Sequence, residues 1–466
     1  MNDKKKVVIL GGGVGGLAVG YYLSQTKKYE VVLLEKGSEV GGLCSSFKYN
    51  GFVLDYGAHK LYSTLPGILD EILNLFSGQL LTIPKKNKIF LRKQLVAYPL
   101  KIGNLLSVLG FLEFIKLGLG FAWQILKGLY DKHQPISYED YMISRFGRPA
   151  YELVFQPLAD KVWGYPATLH ADMARVRVPA SNGLGVILKL LGLKKETIET
   201  NADFFYYPRS GFAEFPRRMK DKIESMGGLV VTNAEVKGVE QAQNHISAIK
   251  TIVAGQEKSF SCDYVVSTIP IQNLVAMTLA KQAGELVFRH LILIYVFVKR
   301  EMILDDQWIF FPEKDYVFSR IFEQKQMNSE LGPKDQTSLC CDFTCEKESW
   351  QWQASDEELA RKCIDDLVKA GIIKSEEVIG SLVKKFDNFY PRYDLNYDAN
   401  LSKIIDELKQ IDNLVLSGRV GMYNYNNADH LLDMGRFIEE GLSKGQAPPE
   451  ILDSLLCRVK NYKIVD

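Results

Sequence analysis

Near its start the chain runs Val7-Val8-Ile9-Leu10 into Gly11-Gly12-Gly13-Val14-Gly15-Gly16, and a second apolar run, Val31 to Leu34, ends on Glu35. A short uncharged run of this kind reads as a buried parallel strand. At the turn that follows, Gly11 allows tight reversal, Gly13 lets backbone amides approach a pyrophosphate, and Gly16 lets the next helix lie close to the sheet. Val14 and Gly15 open that helix, whose amino end carries partial positive charge toward the phosphates. Glu35 stands where an acid would hold the ribose hydroxyls. A glycine turn alone fits many α/β proteins, but strand, turn, helix, strand and acid at this spacing specify a bound dinucleotide.

A chain of 466 residues is too long for one core, so two or three domains are expected. Its 57 Lys and Arg nearly balance its 56 Asp and Glu, which gives no electrostatic case for nucleic acid or an acidic membrane as partner. An anionic substrate would therefore need a local cluster of cations. Seven cysteines without CxxC spacing fit a reducing compartment, and a cytoplasmic location is expected. Cys340, Cys341 and Cys345 read as small apolar strand residues, because no histidine lies nearby to complete a metal site; no metal is expected. Lys4 to Lys6 before an apolar stretch imitate a signal peptide, but the glycines mark a first strand and turn.

From Leu100 to Tyr130 the chain is rich in Leu, Ile, Phe and Gly, interrupted by Lys101, Glu113, Lys116 and Lys127. No uninterrupted apolar segment reaches a spanning length. The main reading is two helices packed in a domain core or across a subunit contact of a homo-oligomer. The alternative is a helix lying on a membrane surface, a peripheral contact through 100–130.

Later segments return to the nucleotide unit. Ala213 to Met226 reads as an amphipathic helix, ended by Gly227-Gly228 and a strand Leu229 to Thr232; Tyr264 to Ile269, stopped by Pro270, reads as another buried strand. Leu291 to Val298 and Trp308 to Phe311 read as strands of a second sheet, and Ser355 with Glu358 as a capping box for a helix ended by Gly371. The expected fold class is α/β: a Rossmann-like dinucleotide-binding domain from discontinuous segments (1–95, 205–285 and 400–466), an inserted helical domain (96–204), and a mostly antiparallel sheet domain for substrate (286–399).

Glu35-Lys36 followed by Gly41-Gly42-Leu43 resembles the EKxxxxGG signature of flavoproteins that include amine oxidases, protoporphyrinogen oxidases and UDP-galactopyranose mutases. The resemblance implies FAD, with Lys36, Gly42 and Leu43 in its site and Val236 where such flavoproteins offer backbone groups to adenine. Within Leu414 to Gly435 an apolar strand feeds Gly418, and a helix begins near Asp429. In these flavoproteins that helix points its amino end at the pyrimidine side of the isoalloxazine, where its dipole favours the reduced anion by about 0.3 to 1 kcal/mol.

Gly418, Arg419, Tyr423, Tyr425 and Asp429 form GRxxxYxYxxxD, which resembles the carboxyl-terminal motif of the mutases. Gly57-Ala58-His59 is similar to the mutase GxH that sets a histidine against the flavin, and Lys161-Val162-Trp163-Gly164 to its KxWG. Ser319 to Lys325 resembles the strand whose arginine, here Arg320, grips the substrate diphosphate. Arg175 or Arg177 falls near a second phosphate-binding arginine, and Phe389-Tyr390-Pro391 resembles paired aromatic residues before proline. Two positions depart from the bacterial pattern: Leu158 replaces a tyrosine that stacks on uracil, and Asn427 replaces the first acid of a DxD pair.

Independently of the family, a neutral chain binding a nucleoside diphosphate needs guanidinium groups in its cleft. The alternative for Arg320 is an ion pair with Glu323. For His59 it is a hydrogen-bonded core histidine, and for Trp163, Tyr390, Tyr423 and Tyr425 plain packing. Two activities follow. The resemblance implies a mutase interconverting pyranose and furanose forms of a nucleoside-diphosphate sugar, with FAD kept reduced by an electron donor; Arg320 and Arg177 hold the diphosphate and His59 steers the flavin. The second is an oxidoreductase of protoporphyrinogen oxidase or amine oxidase type, for which the apolar 100–130 region suits a hydrophobic substrate.

Overall fold

The computed structural model describes residues 4–98, 106, 108–130, 134–176, 203–279, 281, 284 and 286–464, so Arg177 lies outside the described residues. The fold is mixed α/β, built on two large sheets. The first has five parallel strands in the order Leu414–Leu416, Tyr264–Ser267, Lys5–Leu10, Tyr29–Leu34, Leu229–Val231. Val7 to Leu10 at its centre are fully buried, which is why that run carries no polar side chain. Helix Val14–Thr26 packs on this sheet, with helices Glu214–Ser225 and Ala428–Ser443 beside it.

Two glycines set how closely these helices approach. A Cβ on Gly16 would lie 2.0 Å from the Gly11 carbonyl oxygen, and one on Gly435 would lie 2.7 Å from the Ala18 carbonyl carbon. The first strand-to-helix turn and the crossing of helices Val14–Thr26 and Ala428–Ser443 are therefore backbone against backbone.

The second sheet has seven strands in the order Val378–Pro391, Phe288–Val298, Thr337–Cys345, Arg320–Glu323, Trp308–Phe310, Asn87–Leu91, Gln94–Tyr98. All its pairings are antiparallel except the one joining Trp308–Phe310 to Asn87–Leu91. Two of its strands thus come from the first ninety-eight residues.

Strands Phe288–Val298 and Thr337–Cys345 are buried along their whole length because both faces are covered. Leu291, Leu293, Tyr295, Phe297 and Cys340 face the main core. Ile292, Ile294, Val296, Cys341 and Cys345 face Leu359, Cys363 and Leu367 of helix Asp356–Lys369. That helix starts at the expected capping box: the Glu358 amide donates to Ser355 Oγ (3.2 Å), and the Ser355 amide donates to the Glu358 carboxylate (3.0 Å). All seven cysteines are free thiols.

A set of short helices and one long one, Phe111–Tyr130, comes from the segment between Gln94–Tyr98 and residue 176, the long helix packing on Tyr138–Phe146 and Arg148–Ala150. Two helices were expected in 100–130: residues 106, 108 and 109 are helical, Gly110 breaks the run at φ +76°, and the long helix Phe111–Tyr130 follows with one apolar face exposed rather than packed.

A cleft between the two sheets

The cleft between the sheets has a volume of about 1200 Å³. One arm is polar and glycine-rich. Gly11, Gly13, Val14 and Gly15 line it, with Glu35, Lys36, Gly42, Leu43 and Val236 beyond them, and Gly418, Arg419, Tyr425, Asn427 and Asp429 closing it from the carboxyl-terminal segment. Gly16 supports this arm from beneath.

Two amides hold Glu35: Gly12 N donates to Oε2 (2.7 Å) and Gly37 N to Oε1 (2.6 Å). Lys36 is exposed and pairs with Glu235 at 3.3 Å. A Cβ on Gly13 would meet nothing within 4 Å, so the backbone there faces open space, whereas one on Gly15 would lie 3.1 Å from Gly418 Cα. The amino ends of helices Val14–Thr26 and Ala428–Ser443 both open on this arm. Two helix termini, an acid held by amides and an open glycine turn are the donor set that FAD requires: phosphates on N–H groups, ribose on a carboxylate.

The middle of the cleft carries a histidine, an arginine and two tyrosines. His59 stacks on Phe212 with centroids 4.8 Å apart. Burial, then the charges of Arg419 and Arg320, hold its imidazole down to about 3, so it is neutral near pH 7. Arg419 donates to the Asn426 carbonyl (2.6 Å from Nη2) and lies over Tyr390, 5.8 Å from the ring centroid. Tyr390 stacks on Tyr425, whose hydroxyl donates to the Pro391 carbonyl (2.5 Å). Asp429 accepts from Ser63 Oγ (2.9 Å), and the Asn427 amide donates to His430 Nδ1 (3.2 Å) at the head of the last-motif helix.

Arg320 lines the cleft, but its partner is Asp342 on the adjacent strand and not Glu323. Nε and Nη2 both reach Asp342 Oδ2, at 2.7 and 2.5 Å. Glu323 instead turns to the opposite face of the sheet, accepting from the Leu304 amide and Thr337 Oγ1. This reversal follows from strand alternation: positions 320 and 323 differ by an odd number and point to opposite faces. Burial raises the Asp342 carboxyl above its ordinary value, with Arg320 opposing.

Two residues read from sequence as substrate contacts stand outside the cleft lining. Arg175 donates to Asp172 Oδ1 (2.6 Å) and to the Pro135 carbonyl (3.2 Å). Tyr423 points its hydroxyl at the Arg392 and Val287 carbonyls, 2.8 and 2.5 Å away, and is fully buried. Lys161 of the KxWG segment is structural as well, donating to the carbonyls of Phe311, Glu313 and Phe318.

The far arm is apolar. Trp163, Met142, Val154, Phe155, Leu158 and Met173 line it from the helical segment, and Ile89, Trp308 and Phe310 from the second sheet. The sequence reading missed Asp342. Its signal was available: a lone carboxylate in the otherwise uncharged run Leu339 to Cys345.

Residues 14–425 match the family of flavin-containing amine oxidoreductases. This chain belongs to that family. FAD is accordingly the cofactor, and the glycine-rich arm fits it. Among solved structures, reduced UDP-galactopyranose mutase aligns with a TM-score of 0.81 at 19% identity, over 99% of this chain and 98% of that one. A CLA-producing fatty acid isomerase from P. acnes aligns at 0.63 and 13% identity, over 95% and 99%. At these identities the likeness is one of fold.

By sequence, this family member is 24% identical to the all-trans-retinol 13,14-reductase of Rattus norvegicus over 301 residues, covering 58% of the chain and 48% of that protein. It is 36% identical to a 4,4'-diapophytoene desaturase of Methylomonas sp over 75 residues, 16% of the chain and 14% of that protein. The chain thus spans about half, or much less, of the curated relatives it matches.

Proposed function

We propose that the chain is an FAD-dependent oxidoreductase that exchanges hydride with an elongated apolar substrate held in the far arm of the cleft. The observation that carries this reading is the state of Arg320. The arginine placed to grip a diphosphate is already neutralised by Asp342, while the wall beyond it is aliphatic and aromatic. Bringing a dianion there means displacing a buried carboxylate. Bringing an apolar chain means only removing water from Ile89, Val154, Phe155 and Leu158, at roughly 25 cal/mol gained per Å² covered. Relatives named for retinol and diapophytoene, both apolar, support the same substrate class.

When bound, the flavin supplies the electron-pair acceptor or donor. The chain's own residues orient and exclude. Trp163 and Tyr390 bound the substrate on two sides, and the apolar arm keeps water from the reacting carbon. Neutral His59 packs the site with a single ring N–H and adds no positive charge at neutral pH.

A second reading, the sugar-nucleotide mutase, is favoured by one specific arrangement: Arg419, Tyr390 and Tyr425 of the mutase-like motifs line the same cleft as Arg320. The two readings separate in one experiment. Oxidised and chemically reduced holoenzyme are mixed without oxygen with a retinoid, a carotene and UDP-galactose, and flavin absorbance and products are followed. The oxidoreductase reading expects flavin reduction or reoxidation with an apolar compound and no furanose. Furanose formation from UDP-galactose by the reduced enzyme, without net flavin oxidation, overturns it.

A further inference from the structure

Helix Phe111–Tyr130 shows an unusual surface. Leu112 is 82% exposed, Leu119 67%, Trp123 69% and Leu126 55%, with Phe111 and Tyr130 exposed at its ends. These positions recur at three- and four-residue steps and so share one face. Lys116 and Lys127 stand exposed on the same face, and the helix's one acid, Glu113, is paired with Arg92. No helix among the described residues is long and apolar enough to cross a membrane.

The opposite face packs inward. Leu117 joins Leu109 in a cluster with Ile89, Val154, Phe155 and Phe310, four residues that also line the apolar arm of the cleft. One layer of side chains therefore separates the exposed helix from the substrate arm.

We propose that this helix is an interfacial anchor that lies in the headgroup region of an anionic bilayer and sets the apolar arm of the cleft beside the lipid. Charge selects the occupant. A face of Leu, Phe and Trp flanked by lysines, with its acid engaged elsewhere, complements anionic headgroups over an acyl layer. Tryptophan and tyrosine also suit the water–lipid boundary. A second copy of the chain fits less well. A 20-residue helix is about 30 Å long and some 10 Å wide. Its face thus offers on the order of 300–400 Å², below the roughly 800 Å² per partner of a stable interface, and it would set like charges against each other. The near balance of charge over the whole chain does not bear on this local stripe.

The test uses holoenzyme and flotation with vesicles of phosphatidylcholine alone or with about a third phosphatidylglycerol, with no substrate present. Wild type is expected to float with the anionic vesicles, at least tenfold less with the neutral ones, and less as salt rises. Leu119→Ser with Trp123→Ser, and separately Lys116→Glu with Lys127→Glu, should each reduce flotation at least tenfold while flavin content is unchanged, since these side chains are exposed. Absence of wild-type flotation on both vesicle types overturns the proposal. So does a dimer in sedimentation that the Leu119 and Trp123 substitutions abolish, which would assign the face to a second copy. Flotation is read without turnover, so its failure leaves the oxidoreductase reading standing, and failure of that reading leaves flotation to be judged alone.

Discussion

Replacing Asp342 by Asn tests the balance between the two activities most directly. The change keeps the side chain's shape and removes one charge. In the native protein two guanidinium nitrogens converge on a single oxygen, Oδ2, at 2.7 and 2.5 Å, and the Arg320 side chain is 27% exposed to the cleft. Stranding a fully buried cation costs about 3–5 kcal/mol; with water reaching Arg320 from the cleft, about 2–3 kcal/mol is expected. The freed fork then becomes an anion receptor. One charge-assisted contact to phosphate is worth about 1.5–3 kcal/mol, so affinity for UDP or pyrophosphate should rise roughly ten- to hundredfold. Denaturant unfolding measures the first quantity, and titration of flavin fluorescence measures the second. If wild type already binds UDP in the micromolar range and the variant binds no better, a diphosphate displaces Asp342 unaided, and the argument from Arg320 to an apolar substrate fails.

Gly16→Ala places a methyl carbon 2.0 Å from the Gly11 oxygen, so purified protein should contain at most a tenth of the wild-type flavin; full occupancy by absorbance would disprove the close approach. His59 is held down to about 3 from an ordinary 6.5, so the folded state refuses a proton that the unfolded chain accepts. Its contribution is complete above about pH 6.5 and is lost as pH falls toward 3; Tm should decline over that window, less steeply in His59→Gln, and equal slopes would exclude His59 as a source. Asp172 is held below its ordinary range: burial opposes the charge, but hydrogen bonds from His170, Tyr397 and Arg175 prevail. Asp172→Asn should therefore flatten the loss of stability below about pH 4, and an unchanged acid limb would argue against it. Tyr423→Phe should lower stability by about 1–2 kcal/mol and leave KM unchanged, because its hydroxyl serves only the Arg392 and Val287 carbonyls; a raised KM would return it to the substrate site.

Much of the nucleotide half was legible because its constraints are local. Gly11 to Gly16, Glu35 and the Ser355 capping box are each read from a few neighbouring residues, and the structure places them as strand, turn, helix and cap. What stayed hidden was long-range or alternating. Arg320 meets Asp342 across two strands, and only their register reveals it. Tyr423 is packing because the Arg392 and Val287 carbonyls arrive from distant segments. Arg175 was readable after all: Asp172 precedes it by one helical turn, a spacing that pairs opposite charges. Asn87–Leu91 lies within the segment 1–95 assigned to the nucleotide domain and Gln94–Tyr98 at its end, yet both belong to the second sheet, because strand patterning shows which face is apolar and not which sheet receives it.

The near contact of Gly15 with Gly418 brings together residues about four hundred positions apart. During synthesis the phosphate cradle emerges before its far wall and waits for it while about four hundred further residues are made. Tight capture of the cofactor thus has to await the segment around Gly418, and until then the open edge of the parallel sheet is a surface for chaperones to guard.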